Sequence, residues 1–341
     1  MSITEPGTAA AYQTFVGFPM PSDPQSLIER DRRPIVRSET REPRFPFPVP
    51  NGWFVVAEAC ELTRGQTKAF KVFGTDVVLF RGDDGEPRMV EAYCAHLGAH
   101  LGAGGRVEDG CIRCPFHGWR YDGDTGRCNE IPYGEMDKIP SQARIRAFPC
   151  LERNRMIWAW HHGEQQDPFY DVPSVPELDD DEWLPYELVT FDVATCCQEM
   201  AENNVDFAHF MYVHGTDAIP DDEFHIDGVY KRTIGADGNF VREGFGLGLG
   251  VLRIKGYTTF ISSTTPIDEE HLTVRWIFTA PKANGPDAAR AAATNFSAGV
   301  SQDLPIWENK RYVARPVVTK NEKKLLEQRQ WALQFYSNYD G

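Results

Sequence analysis

Between residues 51 and 160 the apolar positions come in short runs broken by turn signals. The runs at 52–57, 69–73, 76–80 and 156–160 are rich in Val, Phe, Trp and Ile. Gly- and Asp-rich stretches such as 81–85 and 122–126 separate them, which is the pattern of a small all-β domain. From residue 184 onward the pattern mixes. Residues 196–212 read as a helix, and strands run from 230 to 280, with 251–254 and 272–278 the clearest. Two helices follow, near 298–312 and 320–337. The second opens on Thr319-Lys-Asn-Glu322, a capping-box pattern, and then carries Leu325, Leu326, Ala332, Leu333 and Tyr336 at helical spacing. Residues 243–250 alternate glycine with other residues. Missing side chains there leave room for a bulky ligand, although glycine in a strand more often marks a bulge.

A polar, proline-bearing stretch with four consecutive acids at 179–182 separates the two patterns and reads as a linker. The proline-rich run at 41–50 reads as an extended segment lying across a neighbouring surface. The expected organisation is an α+β chain with a segment at 1–50, a β-domain at 51–163, a linker at 164–183 and a second domain at 184–341. The 341 residues, 41% hydrophobic and 25% charged, suit a globular protein. A formal charge of −15 repels nucleic acid and anionic membrane surfaces, and no stretch approaches the ~20 apolar residues of a membrane span. The start shows no secretory pattern, so a cytoplasmic location is expected, and the eight cysteines are expected as reduced thiols or metal ligands.

Two constellations carry chemistry. Cys94-Ala-His96 is followed, after seventeen residues, by Cys114-Pro-Phe-His117. Each half offers one thiolate and one imidazole, the composition that a [2Fe–2S] cluster with mixed ligands requires. Four-ligand zinc is the rival, but zinc fingers place both histidines on one helix. His100, Cys111 and Cys128 read as ordinary loop or core residues.

The second constellation is Asp206-Phe-Ala-His209-Phe-Met-Tyr-Val-His214-Gly215. Two histidines and a carboxylate on one face of iron leave open positions for O₂ and substrate. Positions five apart lie about 140° from each other on a helix, so both rings reach one metal only if the helix ends between them. Asp206 and His209, three apart, would share a helix face and hydrogen-bond. Alone, such a histidine pair is as easily packed aromatic core.

Together, Cys94-x-His96-x₁₇-Cys114-x₂-His117-Gly-Trp119 and Asn203-x₂-Asp206-x₂-His209-x₄-His214 resemble the motifs of Rieske non-haem iron oxygenases. Ala99 and Phe116 stand where the respiratory type of Rieske protein usually has further cysteines. The resemblance implies that the β-domain is a Rieske domain and the second a helix-grip catalytic domain, an antiparallel sheet over helices. It implies that Cys94 and Cys114 hold one iron of the cluster, and His96 and His117 the other. A mononuclear Fe(II) would be held by His209, His214 and Asp303, with Glu308 as the alternative third ligand. Without the resemblance, Asp303 reads as a helix-start residue beside Pro305.

The stretches at 206–214, 305–310 and 315–316 are similar to the oxygenase component of 3-ketosteroid 9α-hydroxylases and their sterol-desaturating relatives. Hydroxylation or desaturation of a steroid-like polycycle is therefore expected, with an O-demethylase acting on small aromatic compounds as the alternative. A third possibility, a non-enzymatic electron carrier, is disfavoured by the His209/His214 motif. The chain has no nucleotide-binding fingerprint, so a separate NAD(P)H-dependent reductase, of ferredoxin or flavin type, would supply electrons. The family's head-to-tail homotrimer implies a catalytic role for Asp206, bridging His117 of one chain to His209 of the next.

Overall fold

The computed structural model describes residues 43–135 and 138–339. They fall into two compact units, one of 51–174 and the other joining 175–339 to 43–50. Of the expected segment at 1–50, residues 1–42 lie outside the described residues. Within its unit, the 43–50 stretch is held by buried Phe45 and Phe47. Arg44 adds bonds to the carbonyls of Ala194 at 2.7 Å and Glu308 at 2.8 Å.

The unit of 51–174 is built from three small antiparallel sheets. Gly52–Glu58 pairs with Met156–His161, which also carries Cys150–Arg153. Thr67–Val72, Thr75–Arg81, Pro87–Glu91 and Ala147–Phe148 form the second sheet. Arg106–Glu108, Cys111–Arg113, Arg120–Asp122 and Cys128–Glu130 form the third. A core of Val78, Phe80, Val90, Leu101, Ile112 and Tyr121 packs under the loops that carry the first constellation. All eight cysteines are free thiols.

The other unit centres on a seven-stranded antiparallel sheet. Its strands are β1 (Glu187–Val193), β2 (Glu223–Asp227), β3 (Tyr230–Gly235), β4 (Phe240–Phe245), β5 (Leu249–Ile254), β6 (Thr258–Pro266) and β7 (Leu272–Thr279). They lie in the spatial order β1-β7-β6-β5-β4-β3-β2. Among the described residues, four α-helices accompany it: α1 (Cys197–Glu202), α2 (Ala208–Tyr212), α3 (Ala288–Asn309) and α4 (Lys323–Ala332). The long α3 packs on β1, β6 and β7, and α1 packs on β6 and α4.

Three helix expectations are corrected. Residues 196–212 form two short helices rather than one. The helix expected at 298–312 begins ten residues earlier, because Ala288-Ala-Arg-Ala-Ala-Ala293 is a run of strong helix formers, and it ends at Asn309. Asp303 therefore stands inside α3 and does not start a helix. The Thr319 capping box forms, with Thr319 N–H donating to Glu322 Oε2 at 2.7 Å.

Candidate metal centres and active-site cavity

Two loops of the 51–174 unit carry the first constellation, and they fold alike. Cys94 N–H donates to Ala99 O at 2.9 Å, and Gly98 N–H to Cys94 O at 2.9 Å. Twenty residues on, Cys114 N–H donates to Trp119 O at 2.8 Å, and Gly118 N–H to Cys114 O at 3.1 Å. Gly98 and Gly118 sit at φ of +72° and +74°, which a side chain would strain. The repeated turn brings the two Cys–His pairs face to face. The rings of His96 and His117 are 4.8 Å apart, and the Cys114 thiol is within reach of the Cys94 thiol. Burial pushes the Cys94 thiol up, opposed by the Tyr121 hydroxyl 3.1 Å away. His96 Nδ1 is buried with no hydrogen-bond partner among the described residues. Trp119 stacks on the same ring at 4.5 Å. Arg113 braces the second loop, donating to Gly118 O at 2.7 Å and pairing with Glu130 at 2.9 Å. Two thiols, two imidazoles and an orphaned ring nitrogen fit a mixed-ligand two-iron cluster. Tyr121 and Arg113, which the motif does not specify, complete its surroundings.

The second constellation draws on two helices. His209 stands on α2, His214 lies just past the end of that helix, and Asp303 projects from α3. One ligand atom from each lies within 4.8 Å of the others. Glu308 is not part of this group. Asp206 falls in the gap between α1 and α2, so it shares no helix face with His209. The contact between them uses its backbone carbonyl, not its carboxylate.

That substitution fixes the tautomer. A carbonyl oxygen only accepts, so His209 Nδ1 carries the proton and Nε2 presents its lone pair. His209 Nε2 is buried with no hydrogen-bond partner among the described residues. Nδ1 of His214 pairs with Gln302 Oε1 at 2.9 Å, and its Nε2 lies 3.3 Å from Asp303 Oδ2. Burial holds His209 below the ordinary histidine range. For His214 burial also acts downward, but Asp303 and Gln302 outweigh it and raise the net value. A proton or a cation must stand between His214 and Asp303, and the orphaned His209 Nε2 favours the cation. Two nitrogens oriented by outer partners and one carboxylate suit a ferrous ion. Gln302, the partner that orients His214, was not singled out in the sequence, although it adjoins Asp303.

The three residues line an open-mouthed cavity of about 210 Å³. Its sheet side carries Leu252, Ile254, Phe260 and Trp276, and its helix side Phe296, Val300 and Trp307. Gly244, Gly246 and Gly250 also line it, so the glycine-rich stretch does face the cavity.

Residues 52–149 match the Rieske [2Fe–2S] domain, and residues 159–336 match the 3-ketosteroid 9α-hydroxylase C-terminal domain. The chain belongs to the 3-ketosteroid 9α-hydroxylase family. It is a Rieske-type oxidoreductase, whose cofactors are a [2Fe–2S] cluster and a mononuclear iron and whose co-substrate is O₂. Cholesterol 7-desaturase of Bombyx mori is 31% identical over 87% of this chain and 71% of its own. The Caenorhabditis elegans cholesterol 7-desaturase is 29% identical over 84% and 77%. The oxygenase component of a Rhodococcus rhodochrous 3-ketosteroid-9-alpha-monooxygenase is 29% identical over 84% and 83%. Among solved structures, Pseudomonas putida CBB5 NdmA aligns at 21% identity with a TM-score of 0.65, covering 82% of this Rieske oxygenase and 88% of NdmA. Dicamba monooxygenase bound to dicamba aligns at 20% identity and a TM-score of 0.63, over 85% and 98%. These two share the fold. No helix among the described residues is long and apolar enough to cross a membrane.

Proposed function

We propose that this Rieske oxygenase hydroxylates or desaturates a C–H bond of a steroid-like polycycle. The observation that carries the reading is the placement of His209, His214 and Asp303 on the wall of a mostly apolar cavity. The relatives named for steroid and sterol substrates support the same choice. In this reading Cys94 and Cys114 hold one iron of the cluster, His96 and His117 the other, and His209, His214 and Asp303 the mononuclear iron. When bound and supplied with electrons, that iron activates O₂ toward a C–H bond.

The chain's own residues do the rest. Asp206 and Gln302 fix the two imidazoles with Nε2 inward, so the ligands need no rearrangement when iron binds. The apolar walls take a rigid polycycle out of water, and a ligand without internal rotors loses little entropy on being held. That positions one C–H bond while the aromatic lining excludes bulk water. A separate NAD(P)H-dependent reductase supplies electrons, consistent with the relatives named as oxygenase components. The active form is a cytoplasmic homotrimer in which the Asp206 carboxylate links His117 of one subunit to His209 of its neighbour.

The test uses the holoenzyme, reduced and treated with nitric oxide as an iron probe. A panel of 3-keto steroids should perturb the low-temperature EPR signal of the mononuclear iron and stimulate NADH consumption with a reductase. If steroids leave both unchanged while a methoxybenzoate alters them, the small-aromatic demethylase reading replaces this one.

A further inference from the structure

The cavity face of the sheet is not apolar throughout. Register places Lys231 opposite Gly244 and Thr233 opposite Arg242. Across the next pairs, Gly244 faces Gly250 and Arg242 faces Leu252. Because side chains alternate along a strand, Lys231, Thr233, Arg242 and Leu252 all point to the same side, and all four line the cavity. Two cations thus stand under β3 and β4, while the aromatic lining of Phe260 and Trp276 lies under β6 and β7.

The Lys231 residue is only 6% exposed, and its Nζ forms no ion pair among the described residues. Its bonds go to neutral oxygens, Gln328 Oε1 at 3.0 Å and Ala201 O at 3.4 Å, and it sits 4.9 Å from the centre of the Trp331 ring. The nearby Glu202 is already held at both oxygens by Arg329, each at 2.9 Å. Arg242 lies between the rings of Phe210 and Phe240, at 5.1 and 4.9 Å. Its Nη1 donates to Asn204 O at 3.0 Å and its Nη2 pairs with Asp222 Oδ2 at 3.8 Å, while its Nε is buried without a partner among the described residues. A Cβ at Gly244 would come within 2.6 Å of Lys231 Cε, so the glycine makes room for the lysine stem. Burial pushes the Lys231 ammonium down to about 7, with Arg242 acting in the same direction. Lys231 has no ion-pair partner among the described residues, and a buried cation without a counter-charge is costly.

We propose that Lys231 and Arg242 form a cationic subsite that receives a carboxylate borne by the substrate. The inference rests on the cavity being the substrate site. It narrows the ligand to a polycycle with an acidic side chain, gripped at that chain while the rings lie against the apolar wall. Charge-assisted hydrogen bonds to the carboxylate supply the discrimination.

Calorimetric titration of the oxidised holoprotein tests it with two ligand pairs. One pair is a 3-keto steroid with a carboxylate-ended side chain and its methyl ester. The other is 4-methoxybenzoate and its methyl ester. In whichever skeleton binds, the acid should bind roughly tenfold to a hundredfold more tightly than the ester. Lys231→Met should remove most of that ratio while changing ester affinity by less than about threefold. Acids that bind no better than their esters in both pairs, including no binding at all, overturn the subsite. Steroids that fail while methoxybenzoate outbinds its ester keep the subsite and overturn the steroid reading. Equal loss of acid and ester binding in Lys231→Met would assign the lysine a structural role, against the proposal.

Discussion

Desolvation holds the Lys231 ammonium down to about 7, against 10.5 for an ordinary lysine, and Arg242 adds to the effect. The sign of the consequence follows from proton binding. Between those two values the unfolded chain carries a proton that the folded chain lacks, so stability rises with pH across that window. The penalty is complete below about 7 and relieved on approaching 10.5. Lys231→Met abolishes it, so the variant should gain most relative to the parent near pH 6. Its advantage should shrink by about 2–3 kcal/mol by pH 9, since one proton shifts stability by about 1.4 kcal/mol per pH unit. Other titrating groups are common to both proteins and cancel in the difference. Urea denaturation of both at the two pH values measures it, and a constant difference would mean that Lys231 is solvated in the fold. This residue was not legible in the sequence. In Tyr230-Lys-Arg-Thr-Ile-Gly235 the apolar Tyr230 and Ile234 suggest that the even positions face the core. The fold instead buries Lys231, Thr233 and Gly235. Strand alternation fixes which residues share a face, but not which face is inward when one carries a functional cation.

At the scale of elements, α4 is fastened to α1 by one ion pair. Arg329 donates from Nε and Nη2 to the two oxygens of Glu202, each at 2.9 Å, and Glu202 is 4% exposed. A planar guanidinium matches a carboxylate in this two-bond fashion. Arg329→Met leaves a buried carboxylate without its partner, for an expected loss of about 3–5 kcal/mol in chemical denaturation. Adding Glu202→Met should recover a substantial part of that loss, because an apolar pair carries no unpaired charge. If the double variant is no more stable than the single one, the pair does not couple the helices. The pairing spans the distance between an early and a late helix, so spacing gave no hint of it. The same limit explains the misread helix at 196–212. Its apolar positions continue the helical period, but Asn203, Asn204 and Asp206 favour local side-chain and turn hydrogen bonds. Asn204 Nδ2 reaches back to Ala201 O at 3.5 Å. The break that results delivers the Asp206 carbonyl to His209, a contact no periodic pattern encodes. The capping box at Thr319 was legible because every atom in it lies within four consecutive residues.

Over the whole molecule, the two sets of metal-binding candidates belong to separate compact units, each with its own sheet or sheets. The four residues of the Rieske set were legible because each pair sits in one short loop, and the two loops repeat one turn. Asp303 was not, because α3 carries it to the histidines from far downstream, and only the family resemblance pointed to it. Separate units imply separable metal contents, which gives one experiment three arms. The parent protein should hold roughly three irons and two acid-labile sulfides per chain. Cys114→Ser should lose the sulfides and keep about one iron, since a hydroxyl is a poor ligand for this cluster. His214→Ala should do the reverse, keeping the sulfides and losing about one iron, because a facial site with two protein ligands holds iron weakly. Asp206→Asn should keep both metal sets, as its backbone carbonyl still orients His209, yet lose most turnover if its carboxylate links neighbouring subunits. Metal, sulfide and turnover measured on the same samples separate these roles. Loss of both metal sets in either ligand variant would mean that the units do not fold independently around their metals. Near-parental turnover in Asp206→Asn would leave the carboxylate no part in electron transfer.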